Sequence, residues 1–162
     1  MEVRGGSSSA ALFEMCGRFK KAWIKGGFSW DSRFSCVASS FSSELDAEAR
    51  AVVTQYFPSE WTMKTVVNAP PQVREVAENT GGVRTDQRLF TGDTSGRLVV
   101  FGLWWPWGDE TTISFRVGIG GYVLEPDLLR LREAFGALDC SVAWARSAWL
   151  EQRQHRFERG SV

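Results

Sequence analysis

The chain has 162 residues, 43% hydrophobic and 13% aromatic with eight Trp, enough apolar material for one core in one domain. Lys+Arg and Asp+Glu both number 19, and the resulting zero net charge argues against a general nucleic-acid binder. Three scattered cysteines, Cys16, Cys36 and Cys140, without a C-x-x-C, argue against a disulfide framework or a zinc knuckle and fit free thiols in a reducing cytosol.

Residues 1–9 are small and polar and read as a flexible N-terminus, leaving 10–162 as the domain. Glu14 interrupts the first apolar stretch, so no secretory signal is read there. The run from Leu98 to Trp107 falls far short of the roughly 18–20 apolar residues that cross a bilayer. The expectation is a soluble, cytoplasmic protein with no membrane partner.

Leu12, Cys16, Phe19 and Trp23 recur at helical spacing, with Lys20, Lys21 and Lys25 in the last turn and Gly26-Gly27 as a stop. Residues 34–39 alternate as a strand does, although the same stretch can begin a helix. Leu45, Ala49, Val52, Val53 and Tyr56 form the face of a helix that Ser43 can cap and Pro58 follows. Residues 61–67 alternate and predict a strand. "PPQVREVAENTGG" predicts a short helix, with prolines at its start and glycines past its end.

Residues 87–119 predict a three-stranded antiparallel meander with turns at "DTSG" and "PWGD". Its middle strand is apolar on both faces: Leu98, Val100 and Trp104 on one, Val99, Phe101, Leu103 and Trp105 on the other. The next strand sets Ile113, Phe115, Val117 and Ile119 against Thr112, Ser114, Arg116 and Gly118, which leaves that second side wet. A helix with Pro126 in its first turn and Leu128, Leu129, Leu131, Phe135 and Leu138 as apolar residues follows, then a final helix at about 142–157 with Trp144, Trp149 and Phe157. The predicted fold is a single α+β domain, a mainly antiparallel sheet packed by flanking helices.

Candidate chemistry is sparse. His155, the sole histidine, lies in a charged stretch and reads as surface; a Ser–His or Cys–His pair would have to use it, and one His with three scattered Cys makes no transition-metal set. Asp86, Asp93, Asp109 and Glu110 fall at strand ends, where turn geometry explains them. No cofactor and no metal is implied.

Two features stand out. "RVGIGGYVLEPD" takes a strand through Gly118, Gly120 and Gly121 toward a helix, a context that can cradle a phosphate. It resembles the acyl-CoA-binding turn of GNAT-type acetyltransferases, with Phe115 where that pattern has Gln or Arg. The resemblance implies an acyl-CoA- or nucleotide-dependent transferase.

The other is "GLWWPWGDE". Trp104 and Trp105 are consecutive in a strand and so point to opposite faces, and Trp107 sits in the turn. The expectation is Trp104 in the core, with Trp107 and then Trp105 exposed as a partner-binding anchor rimmed by Asp109, Glu110 and Arg97. Tryptophans that stack on sugars would make a glycan-binding module another alternative.

The region from Gly81 to Gly121 resembles an immunity-protein family of bacterial polymorphic toxin systems. Gly81, Arg84 and Asp86 carry the first part of the likeness. Phe101, Gly102, Leu103 and Trp104 carry the second, and Gly108, Asp109, Gly120 and Gly121 the last; Trp30 to Arg33 matches an early Trp-x-x-Arg segment. The resemblance implies a non-enzymatic protein that occludes a cognate toxin.

Overall fold

The computed structural model describes residues 9–24 and 27–138. The readings of residues 1–8, Lys25, Gly26, Cys140, His155 and the final helix at 142–157 lie outside the described residues.

In chain order the elements are α1 (Ser9–Ala22), β1 (Ser29–Asp31), β2 (Cys36–Ser42), α2 (Asp46–Tyr56), β3 (Ser59–Trp61), α3 (Pro71–Asn79), β4 (Arg88–Thr91), β5 (Leu98–Pro106), β6 (Thr112–Gly121) and α4 (Glu125–Ala134). The strands form one sheet in the order β1-β2-β6-β5-β4-β3, antiparallel throughout. The protein is therefore a single α+β domain, and the predicted meander β4-β5-β6 is its centre.

Strand alternation gives the sheet two faces with different tasks. The inner face carries Val37 and Phe41 of β2, Val100 and Trp104 of β5, and Phe115 and Val117 of β6. It packs under α1, α2 and α4, which contribute Phe19, Val53 and Leu131. Phe115 lies at the middle, its ring centroid 5.5–6.4 Å from those of Trp23, Phe19, Phe57 and Phe90. It can lie flat because β5 has Gly102 beneath it: a Cβ there would sit 2.3 Å from Phe115 Cζ.

The outer face is only partly covered. α3 sets Val73, Val76 and Ala77 over Leu89, Phe101 and Leu103, at the β4–β5 side. Pro71 opens α3, and Gly82 N–H closes it on Ala77 C=O (2.7 Å), with Gly81 and Gly82 both at positive φ. On the β1–β2–β6 side the outer face is built from small residues, with Arg116 of β6 paired to Asp31 of β1.

Two local readings are corrected. The predicted strand at 61–67 ends at Trp61, because Thr62 and Thr65 hold a turn. Thr62 N–H donates to Thr65 Oγ1 (2.8 Å) and Thr65 N–H donates to Thr62 Oγ1 (3.3 Å). Such bonds give the backbone an alternative to a ladder, and a 3-10 turn, Val66–Asn68, follows. Ser43 does not cap α2, which Leu45 precedes without a side-chain cap bond; a 3-10 turn, Ser43–Leu45, intervenes, and Ser42 Oγ caps that turn by accepting from Glu44 N–H (3.3 Å).

Candidate functional site

β5 and β6 are the two longest strands, and their hairpin projects the Trp cluster from one end of the sheet. The ladder continues one step past Pro106↔Ile113, since Trp107 N–H donates to Thr112 C=O (2.8 Å). Alternation then puts Trp107 on the outer side, with Trp105, and Trp104 on the inner side. The exposures agree with the expected split: Trp104 is 3% exposed, Trp105 is half-buried and Trp107 is 48% exposed.

The turn that carries Trp107 is tied down. The Asp109 carboxylate accepts from Thr111 N–H (2.9 Å), Thr112 N–H (3.0 Å) and Thr112 Oγ1 (2.9 Å). These bonds, that of Thr111 N–H foremost, hold its carboxyl below the usual range. Glu110 adopts a left-handed conformation, φ 61°, and its N–H donates to Trp107 C=O (3.2 Å). From the inner-side connection, Ser43 N–H donates to Thr111 C=O (2.8 Å). Asp109 thus builds the turn, while the exposed Glu110 is the acidic group beside Trp107 that remains turned to solvent.

Behind Trp107 the outer face holds a cluster not anticipated as a site. Arg116 stacks on Trp105, 4.9 Å from guanidinium to ring centroid, and lies 5.8 Å from the Phe34 ring. Phe34 meets Trp105 edge-on at 5.4 Å. Asp31 pairs with Arg116 and also takes Arg33 N–H (2.9 Å) and Arg33 Nη2 (3.2 Å). Burial disfavours the Asp31 charge, but the hydrogen bonds from Arg33 and Arg116 outweigh it and bring its pKa down to about 2. Ser114, opposite Trp105 in the ladder, is 1% exposed. The only sequence signals for this cluster were an Arg in the middle of a strand whose other face is apolar, and the acid–base pair in "WDSR".

Arg97 is not brought to the tip. It precedes β5, nine residues long, so it lies roughly 30 Å from Trp107 at about 3.3 Å per residue. There it grips Asp127 through two bonds (2.8 and 3.1 Å) and donates to Tyr122 C=O (2.8 Å), fixing the entry to α4.

The glycines of β6 serve packing. A Cβ at Gly118 would sit 2.4 Å from the Phe101 ring, and one at Gly120 would sit 2.5 Å from Val76 of α3. Gly121, at φ +88°, has Arg97 C=O 2.3 Å from where its Cβ would be. The start of α4 is occupied by its own Asp127, which accepts Leu124 N–H (2.8 Å). These contacts account for the three glycines by packing and for the start of α4 by its own carboxylate.

The remaining candidates are quiet. Burial pushes the Cys16 thiol up to about 12 and the Cys36 thiol up to about 11, the reverse of what a nucleophile needs. Asp93 holds its own turn by accepting from Ser95 N–H (2.9 Å), and Asp86 is exposed. Among the described residues no three His, Cys, Asp or Glu groups are placed to hold a metal ion, and no helix is long and apolar enough to cross a membrane. No family model, characterised protein or solved structure matches the chain.

Proposed function

We propose that the protein acts by binding another protein, without catalysis, and that its partner is a bacterial toxin domain that it occludes as an immunity protein does. One observation carries the reading: Trp107 stands 48% exposed on a turn that Asp109 and Ser43 hold fixed. A large apolar ring on a fixed backbone surrenders little conformational freedom on binding, and Trp is the residue type most enriched where interfaces concentrate their energy. Glu110 beside it and the exposed Arg33, on Asp31 and Phe34, give charges of both signs, which orient a partner more than they hold it. A stable partner would bury about 1,200–2,000 Å² in total.

The test is binding and protection by one partner, the product of the gene adjacent to this one. Calorimetry with the purified pair should give a defined Kd, and co-expression should restore growth that the toxin arrests. Trp107→Ala should weaken binding about thirtyfold, the effect of a hot-spot residue worth about 2 kcal/mol. An unchanged Kd with the fold intact would remove Trp107 as the anchor. Absence of binding and of protection would remove the immunity reading.

A further inference from the structure

Among the described residues two buried side-chain polar atoms have no hydrogen-bond partner: Ser114 Oγ and Arg116 Nε. They are two residues apart on β6 and therefore on the same, outer face. Arg116 Nε carries a proton and can only donate, and the Ser114 hydroxyl donates readily. An unmade bond from a buried donor is costly, and most buried polar groups in folded proteins have partners. The pair sits behind the half-buried rings of Trp105 and Phe34. Around it the two guanidiniums of Arg33 and Arg116 share the single carboxylate of Asp31, leaving a net positive charge.

Two donors, positive charge and aromatic walls describe a receptor for a negatively charged oxygen attached to an apolar stem. We propose that Ser114 and Arg116 form a carboxylate-binding subsite, in which one carboxylate accepts from Ser114 Oγ–H and Arg116 Nε–H while its stem lies against Trp105 and Phe34. The Arg116–Asp31 pair holds the guanidinium in place, so Nε keeps its direction before the ligand arrives. Entry needs the Trp105 or Phe34 ring to turn aside, a side-chain motion with no rearrangement of the sheet. The carboxylate can come from an acidic side chain of a protein partner or from a small free acid. The first source rests on the protein-binding reading above; the second does not.

The experiment follows the Arg116 Nε–H resonance in the whole protein by NMR, during titration with phenylacetate, with the neutral isostere phenylacetamide, and with a blocked Phe-Glu dipeptide. Saturable movement of that resonance with the two acids, and at least tenfold weaker response to the amide, is the expected result. Ser114→Ala, which keeps the strand and the ion pair, should weaken the acids about tenfold. Trp107→Ala should leave them unchanged, which separates this site from the anchor. Tighter binding of the dipeptide assigns the carboxylate to a protein side chain; tighter binding of phenylacetate assigns it to a small acid. The subsite is overturned if millimolar acid leaves the resonance in place, if Ser114→Ala binds as well as the parent, or if the only partner found for Nε–H is a bound water.

Discussion

The two faces of this sheet are made from the same strands, yet they are finished in opposite ways. The inner face is closed by three helices and filled with aromatic rings in edge and tilted contact, with Phe115 at the centre. The outer face is closed by α3 over β4, β5 and the glycine end of β6. Beyond α3 it passes to Trp105, Arg116 and Asp31, and then to Trp107 in solvent. Burial on the inner face is for stability. The partly covered half leaves charge and aromatic area half-buried or exposed, and two of its buried donors have no partner among the described residues.

The largest effect that should follow is at the inner centre. Phe115 is fully buried, so Phe115→Ala should destabilise by about 3–5 kcal/mol, measured by urea unfolding. Trp105→Ala, one strand position beyond Trp104 and half-buried, should fall well below that range. Equal losses would mean that the outer cluster is core and the division between the faces is wrong.

Glycines sharpen the same contrast. Gly102→Ala drives a methyl into the Phe115 ring and Gly118→Ala drives one into Phe101, on opposite faces. Each should cost about 1–3 kcal/mol. The inner substitution should cost more, because five aromatic neighbours hem Phe115 in, whereas Phe101 packs under a single helix. Adding Phe101→Leu should recover part of the Gly118→Ala loss and none of the Gly102→Ala loss, a double-mutant test of which ring each methyl strikes.

Acid should act on the outer face first. Asp31 has its folded pKa lowered from 3.8 to about 2, so its charge stabilises the fold above pH 4, and that contribution is lost as pH falls through 4 toward 2. Its partner Arg33 is mostly exposed, which reduces the effect to on the order of 1–2 kcal/mol. Asp31→Asn should therefore be less stable than the parent at pH 7, with the gap closing by pH 2, read from thermal midpoints across that range.

How much of this was legible in the sequence depends on whether the governing contacts are local or distant. β5 was readable because a long apolar run bounded by turn signals fits a middle strand buried on both faces, β6 because its apolar and polar residues alternate, and α3 because its prolines and glycines mark both ends. β1 is three residues long and exists through its pairing with β2, so periodicity carried too little signal. At 61–67 the alternation was real, but two threonines three residues apart turned the chain first. The packing role of the β6 glycines was not legible locally because their neighbours lie on other elements: Phe101 is on β5 and Val76 on α3. Arg97 and Asp109 were grouped by charge and proximity in sequence, whereas a strand separates them by its whole length. The Arg116–Asp31 contact joins residues 85 positions apart, which no local pattern encodes.

The smallest effect on stability belongs to the residue proposed to matter most for binding. Trp107→Ala removes a ring that is 48% exposed and on which no buried group depends, so the fold should change by no more than about 0.5 kcal/mol. Asp109→Ala should cost more, because three turn donors lose their acceptor. The two should reverse in a binding assay only in kind. Trp107→Ala removes the contact itself and should speed dissociation. Asp109→Ala keeps the ring but frees the turn, so its loss should be smaller and should shrink when a stiffer turn is restored by Asp109→Asn, whose side-chain oxygen can still accept from Thr111 and Thr112. Equal losses for Trp107→Ala and Asp109→Ala, with no recovery in Asp109→Asn, would place the carboxylate itself in the interface and return Asp109 from the scaffold to the site.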